Sequence, residues 1–231
     1  MTTILHIDAS ARKLDKSRQH RNSISRSLAD SFRQLWLAIE SNTKFIYRDL
    51  GENPPNFISE DWIAAVFTPD EQKTPEQNAL TALSDELIAE VVKADIILLS
   101  TPMYNYGMPA ALKAWFDQVI RVNKTFDFDL DRGDFPLQST LCGKIMVLLT
   151  SCGEFGFHAG GIREKMNHLG PHIEVASQYL GVEKFYEIRS EYQEFGDQRH
   201  IDSLNNARAQ IVALVEQLAV HEFNPFIPST V

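Results

Sequence analysis

The sequence predicts an α/β sandwich, three layers deep, around a central five-stranded parallel sheet. Three observations carry that expectation. Short apolar runs rich in β-branched residues alternate with longer segments of helical periodicity along the whole chain. Two of the runs, residues 96–99 in ADIILLSTP and 145–149 in KIMVLLTSC, are apolar at every position, as strands covered on both faces should be. Each pair of strands is separated by enough chain for a right-handed helical crossover.

The elements follow in order. TILHID, Thr3–Asp8, is the first strand. A polar, basic linker, ARKLDKSRQHRNS, leads to a helix with Ile24, Leu28, Phe32 and Leu35 at helical spacing and Ser23 as its N-cap. TKFIYRDL is the second strand. Residues 51–75 hold Pro54, Pro55, Pro69 and Pro75 and read as a surface excursion with one short helix. Thr74-Pro75-Glu76 opens a long helix to about Val92, with Leu80, Leu83, Leu87 and Val91 on one face. ADIILLSTP is the third strand, and Pro109 starts a helix expected to reach about Val122. KIMVLLTSC is the fourth strand. GGIREKMNHLGPHIEVASQYLG reads as helical with a restart at Gly170-Pro171. VEKFYEIRS is the fifth strand, and the last helix spans about residues 199–219.

Composition narrows the function. The 231 residues suit one α/β domain, expected to run over 1–231 with the excursion at about 51–75. A net charge of -9 and a pI near 5.2 give little reason to hold a polyanion, so no nucleic-acid partner is expected. Cys142 and Cys152 form no CxxC, and the N-terminus has no basic leader before an apolar run. The longest apolar runs, such as IMVLL, cannot span a bilayer, so a cytoplasmic location away from membranes is expected. The histidines form no HExxH or similar pattern, and no metal is expected.

A parallel sheet of this kind binds ligands at the carboxyl ends of its strands, beside a switch in strand order. Three loops therefore matter. The first, after Asp8, has neither GxxxxGK[ST] nor GxGxxG. It offers Ser10, Ser23 and Ser25 near a helix N-terminus, where free amides favour an anion. Plain capping by Ser23 explains the same residues, and locally both readings stay open. The second loop reads Pro102-Met103-Tyr104-Asn105-Tyr106-Gly107. It combines soft or flat apolar surface with an amide that both donates and accepts, as the edge of a flavin ring would require. A packing patch at a dimer contact is the alternative. The third, TSCGEFGFHAGG, exposes backbone amides through its glycines, or is a flexible turn. Cys152 has no basic neighbour in its local sequence, so redox catalysis by its thiol is not expected.

ADIILLSTPMYNYGMPAALKAWFDQVIRVNKTFDF, with ALSDELIAEVVKAD before it, resembles the FMN-dependent NADH azoreductases and related NAD(P)H quinone reductases, whose fold is flavodoxin-like. PMYN before a proline-started helix, and the phenylalanine of NKTF, are the most specific features. Ser23-Ile24-Ser25-Arg26 and GKIMVLLTSCG match more loosely. The resemblance implies a flavodoxin-like sandwich and FMN held by Ser10, Ser23, Ile24 (through its backbone) and Ser25, by Pro102, Met103, Tyr104, Asn105 and Tyr106, and by Ser151, Cys152, Gly153 and Glu154. Phe126, Phe128 and His158 are candidates for lining the substrate pocket. No catalytic side chain is expected, because the cofactor carries the redox chemistry. NADH or NADPH would be the donor, quinones and azo compounds the acceptors in a ping-pong order, and the protein a homodimer. The alternative is a flavodoxin-like electron carrier working with a protein partner. The chain departs from the family's usual Ser-Arg-Gly-Gly loop, having Ser151-Cys152-Gly153-Glu154, and its linker between Ser10 and Ser23 is longer and more basic.

Overall fold

A computed structural model describes residues 1–15, 17 and 22–219. Its five-stranded sheet is built from β1 (Thr3–Asp8), β2 (Lys44–Asp49), β3 (Ile96–Pro102), β6 (Lys144–Ser151) and β7 (Val182–Ser190). Their order is β2-β1-β3-β6-β7, with every pairing parallel. The first crossover steps one way from β1 to β2, and the chain then returns to β3 on the other side of β1. That reversal is the switch in strand order, and it opens a crevice above the ends of β1 and β3.

Alternation within the strands explains their uninterrupted apolar runs. Leu5, Ile7, Ile97, Leu99, Met146 and Leu148 pack on one face, beneath α3 (Pro75–Lys93), α4 (Ala110–Val119) and α5 (Gly170–Gln178). Ile4, Ile96, Leu98, Ile145, Val147 and Leu149 pack on the other, beneath α1 (Ile24–Ile39) and α6 (Gln198–Gln217). Residues 96–99 are fully buried. Each such side chain contributes roughly 1.5–3 kcal/mol of transfer free energy. The three-layer sandwich and five parallel strands are as the sequence predicted.

Four features differ from the sequence reading or add to it. Leu80 is 41% exposed, because the inner face of α3 is carried by Thr81, Ser84, Leu87, Ile88 and Val91. The helix after Pro109 ends at Val119, where Thr125 Oγ1 accepts the Arg121 amide and bonds the Val119 carbonyl, turning the chain. Residues 160–169 are not a helix: Gly160 has φ 77°, and only Glu164–Met166 forms a short 3₁₀ turn. Downstream of α4, a small antiparallel hairpin of β4 (Phe126–Phe128) and β5 (Leu137–Ser139) had no counterpart in the sequence reading. The excursion holds α2 (Glu60–Phe67), capped by Ser59, and a 3₁₀ turn at Asp70–Gln72. Of the basic linker, Lys16, Arg18 and Arg21 lie outside the described residues, as do residues 220–231.

Candidate functional site

The three loops converge. Ser10, Arg12, Asn22, Ser23 and Ile24 from the first, Pro102, Met103 and Tyr104 from the second, and Ser151 and Gly153 from the third line one cleft of about 170 Å³, closed by Gln193 and Glu194. It sits over the carboxyl ends of β1, β3 and β6.

At its α1 end, Ser23 caps the helix. Its Oγ accepts the Arg26 amide at 3.3 Å and lies 3.3 Å from Ser25 Oγ. The Ser23 carbonyl accepts the Ser27 amide. Among the described residues, the Ile24 and Ser25 amides remain the first-turn donors ahead of the helix. Ser25 is fully buried behind Ser23 rather than in the lining. Ser10 is also buried, and its Oγ accepts the Arg12 amide at 3.1 Å.

Arg26 braces this end from behind. Its guanidinium is bidentate to Asp49 at 2.6 Å on both arms, reaches Asp8 at 3.3 Å, and donates to the Ser10 carbonyl at 2.7 Å. Tyr47 and Ser100 hydroxyls also donate to Asp8, at 2.8 and 2.5 Å, and His6 Nε2 lies 3.1 Å from it. Burial opposes ionisation of Asp8. The hydrogen bond and charge of His6, then bonds from Ser100 and Tyr47, outweigh it and hold the carboxyl below its ordinary value. For Asp49 burial again opposes, and Arg26 wins. Gly51 makes the brace possible: a Cβ there would stand 2.1 Å from the Ser10 carbonyl oxygen and 2.9 Å from Arg26 Nη2.

The other end is a two-residue hairpin turn. Tyr104 and Gly107 exchange both backbone bonds at 3.0 Å, and Asn105 and Tyr106 between them have φ 47° and 66°. Such a turn requires left-handed backbone at both central positions. Asparagine tolerates it, whereas a tyrosine there costs about 1–2 kcal/mol. The Tyr106 hydroxyl donates to Glu154 at 2.9 Å, and Glu154 pairs with Arg163 at 2.9 Å. That bond, and then the charge of Glu154, pushes the Tyr106 phenol up from its ordinary value.

Other expected residues fall elsewhere. Asn105 and Tyr106 stand at the rim of the cleft rather than in its lining, and Glu154 faces Tyr106 and Arg163. Cys152 is buried, and burial pushes its thiol up to about 12. Phe126 packs edge-on against Tyr179, and Phe128 is exposed on the hairpin. His158 lines a separate cavity of about 500 Å³ with Glu164, Glu187 and Arg189. Sequence reasoning had Arg12 only within a basic linker that would either cover the phosphate or extend outward; it missed Asn22 as a lining group, and Gln193 and Glu194 entirely. The last two come from the chain after β7, whose 192–194 stretch bonds to residues 152–154; no motif marks it.

The residues present suit a flavin phosphate. Neutral hydroxyls, first-turn amides and the Arg12 cation meet at the α1 end, while Met103 and Tyr104 supply apolar surface at the other. Among the described residues, no group of three metal-ligating side chains occurs, and no helix is long and apolar enough to cross a membrane.

Known proteins resemble this chain in sequence and in fold. Residues 2–215 match a family model described as the flavodoxin-like fold. The chain is 63% identical over 218 residues to the FMN-dependent NADH:quinone oxidoreductase 2 of Colwellia psychrerythraea, covering 94% of this chain and all of that one. It is 35% identical over 215 residues to the FMN-dependent NAD(P)H:quinone oxidoreductase 1 of Pseudomonas aeruginosa, covering 93% of this chain and 98% of that one. A crystal structure of an FMN-dependent NADH-azoreductase from Bacillus anthracis, in complex with FMN, superposes with a TM-score of 0.80 at 19% identity, covering 95% of this chain and all of that one.

Proposed function

Because the chain belongs to the flavodoxin-like family of FMN-dependent NADH:quinone oxidoreductases and azoreductases, we propose that it binds FMN in the cleft between its three loops and reduces quinones and aromatic azo compounds at the expense of NADH or NADPH. The observation that carries this reading is the meeting of Ser10, Ser23, Met103, Tyr104 and Gly153 in one cleft at the strand-order switch. Bound FMN would supply two-electron transfer from the nicotinamide to the acceptor, in ping-pong order, as a cytoplasmic activity.

The chain's own residues bind and orient. The Ser10 and Ser23 hydroxyls and the Ile24 and Ser25 amides would hold the phosphate, with Arg12 adding charge. Charge-assisted bonds of this type are shorter and stronger than neutral ones. Met103 and Tyr104 would cover the flavin's apolar surface. Asn105, at the rim, would offer its amide to the polar ring edge, and the Gly153 backbone would lie beside it. The Ser25 hydroxyl would support Ser23 from behind the lining, and Cys152 would contribute no more than its place in the third loop.

The cleft is smaller than the roughly 300–1,000 Å³ of most cofactor pockets. A second copy of the chain would complete it. Phe128, Phe135, Phe57 and Phe67 are between 55% and 84% exposed, on the hairpin and the excursion. Apolar surface of that size favours burial in a symmetric dimer, which would bring Phe126 and Phe128 to a partner's site. The single-domain organisation over 1–231 belongs to the same proposal.

The test is direct. Heat-released cofactor should be FMN, at about one per chain after reconstitution, and anaerobic NADH should bleach the visible spectrum until a quinone or azo dye restores it. A folded protein that takes up no FMN would end this reading. Sedimentation should show a dimer; an active monomer would remove the shared pocket.

A further inference from the structure

Tyr106 holds a backbone conformation it does not favour, with φ 66°. Three contacts act on it. Its hydroxyl donates to Glu154 Oε2 at 2.9 Å, its ring centroid lies 6.3 Å from that of Phe157, and its carbonyl accepts the His168 amide at 3.0 Å. Glu154 is itself anchored. Its other carboxylate oxygen lies 2.9 Å from Arg163, and its carbonyl accepts the Tyr192 amide at 3.1 Å. Arg163 is fixed in turn by the Phe155 carbonyl at 3.1 Å and by the Phe155 ring, 4.7 Å beneath its guanidinium. A carboxylate tied to its own loop by these contacts thus reaches across to a strained turn on the neighbouring one.

We propose that Glu154 is a positioning residue: acting through the Tyr106 hydroxyl, it latches the Tyr104–Gly107 turn in the shape that presents Asn105. It does this without lining the cleft itself. What the latch is for rests on the reading of the cleft as an FMN site. The latch itself is a property of the chain without cofactor. If Glu154 served only to neutralise Arg163, removing the Tyr106 hydroxyl would leave the turn unchanged.

Glu154→Ala, Tyr106→Phe, their combination and Glu154→Gln separate the two. The first readout is amide exchange in cofactor-free protein at Tyr104, Gly107 and His168, whose N–H bonds close the turn and hold it. Exchange there should quicken by about three- to tenfold in either single variant, the scale of a partly exposed bond to a charged group. The double variant should show no further gain, because both changes cut one link. Glu154→Gln keeps an acceptor oxygen and should recover part of the protection. Amides within β3 should not move. The second readout is titration with FMN and riboflavin, which the single variants should weaken equally, since the turn is away from the phosphate end. Unchanged exchange in Glu154→Ala, or additive effects in the double variant, would overturn the latch. Faster exchange with both flavin affinities unchanged would overturn the positioning role. Wild-type protein that binds no flavin would instead remove the cofactor reading, while the exchange result would still decide the latch.

Discussion

The α1 end of the cleft keeps Ser10, Ser23 and Ser25 almost wholly buried, fixed by an arginine whose charge is shared between two carboxylates. The rim end sets Asn105 and Tyr106 in an exposed, left-handed turn held by a partly exposed side-chain pair. The first arrangement draws on interactions made strong by exclusion of water. The second tolerates strain in a segment that contributes little to the core. A change at the α1 end should therefore cost fold stability and grip on a phosphate together. A change at the rim should alter how a ring is held while leaving the fold almost intact.

Arg26→Met should have the largest effect. It leaves Asp49 without its cation, and Asp8 with His6 alone, while both stay largely buried, a type of loss that costs about 3–5 kcal/mol. Urea unfolding measures it directly. A loss below about 1 kcal/mol would mean that the two ends are braced alike. The same network sets an acid limit. Asp8 and Asp49 are held below their ordinary value of 3.8 in the folded chain. Their contribution is complete above that value and disappears as pH falls through the lowered folded values. Without Arg26 the folded Asp49 binds protons more readily. The acid unfolding midpoint, followed by circular dichroism, should then move to higher pH than in the wild type.

The two ends also differ in how far sequence could reach them. Ser23 was legible as a cap and as an anion donor because helix N-termini have fixed chemistry, and the apolar runs placed the strands to the residue in β1. The Arg26 brace was not legible. It joins β1, β2 and α1, so only the sheet order reveals that Asp8 and Asp49 meet. At the rim, PMYN marked the turn, yet nothing local says that Tyr106 adopts positive φ or that Glu154 turns toward it. The hairpin at β4 escaped because its strands have three residues each, too few for an alternating pattern.

Ser23→Ala probes the α1 end more gently. Loss of the cap should lower stability by about 0.5–2 kcal/mol. Loss of a charge-assisted bond should weaken FMN by roughly ten- to a hundredfold. Ser25→Ala should weaken FMN less and leave the cap in place, because the Ser25 hydroxyl bonds Ser23 behind the lining and its amide is kept. Riboflavin, lacking the phosphate, should change little in either variant. Equal weakening of both flavins would place these serines away from the phosphate and erase the distinction between the ends.

Asn105 carries the corresponding test at the rim. Asn105→Leu removes the amide and puts a branched side chain at φ 47°, adding about 1 kcal/mol of strain. Asn105→Gly removes the same amide while easing the backbone. Both should shift the flavin potential in the same direction, but only the leucine variant should lose stability. Unchanged potential in both would take Asn105 away from the ring edge.

The smallest effect is expected at Cys152, in the third loop between the two ends. Its thiol is pushed up to about 12, first by burial; nearby Arg189 favours the thiolate but does not reverse the shift. At neutral pH almost none of it is thiolate, the form that reacts. Cys142, the only other cysteine, is exposed. Alkylation of the folded protein at pH 7 should therefore add one label per chain, at Cys142, and a second only after denaturation. Cys152→Ala should leave FMN affinity and turnover near wild-type values, because the sulfur is absent from the cleft lining. Two labels on the folded chain would show that the loop opens to solvent. Together with lost turnover in Cys152→Ala, they would give the thiol a part in the chemistry that the buried site denies it.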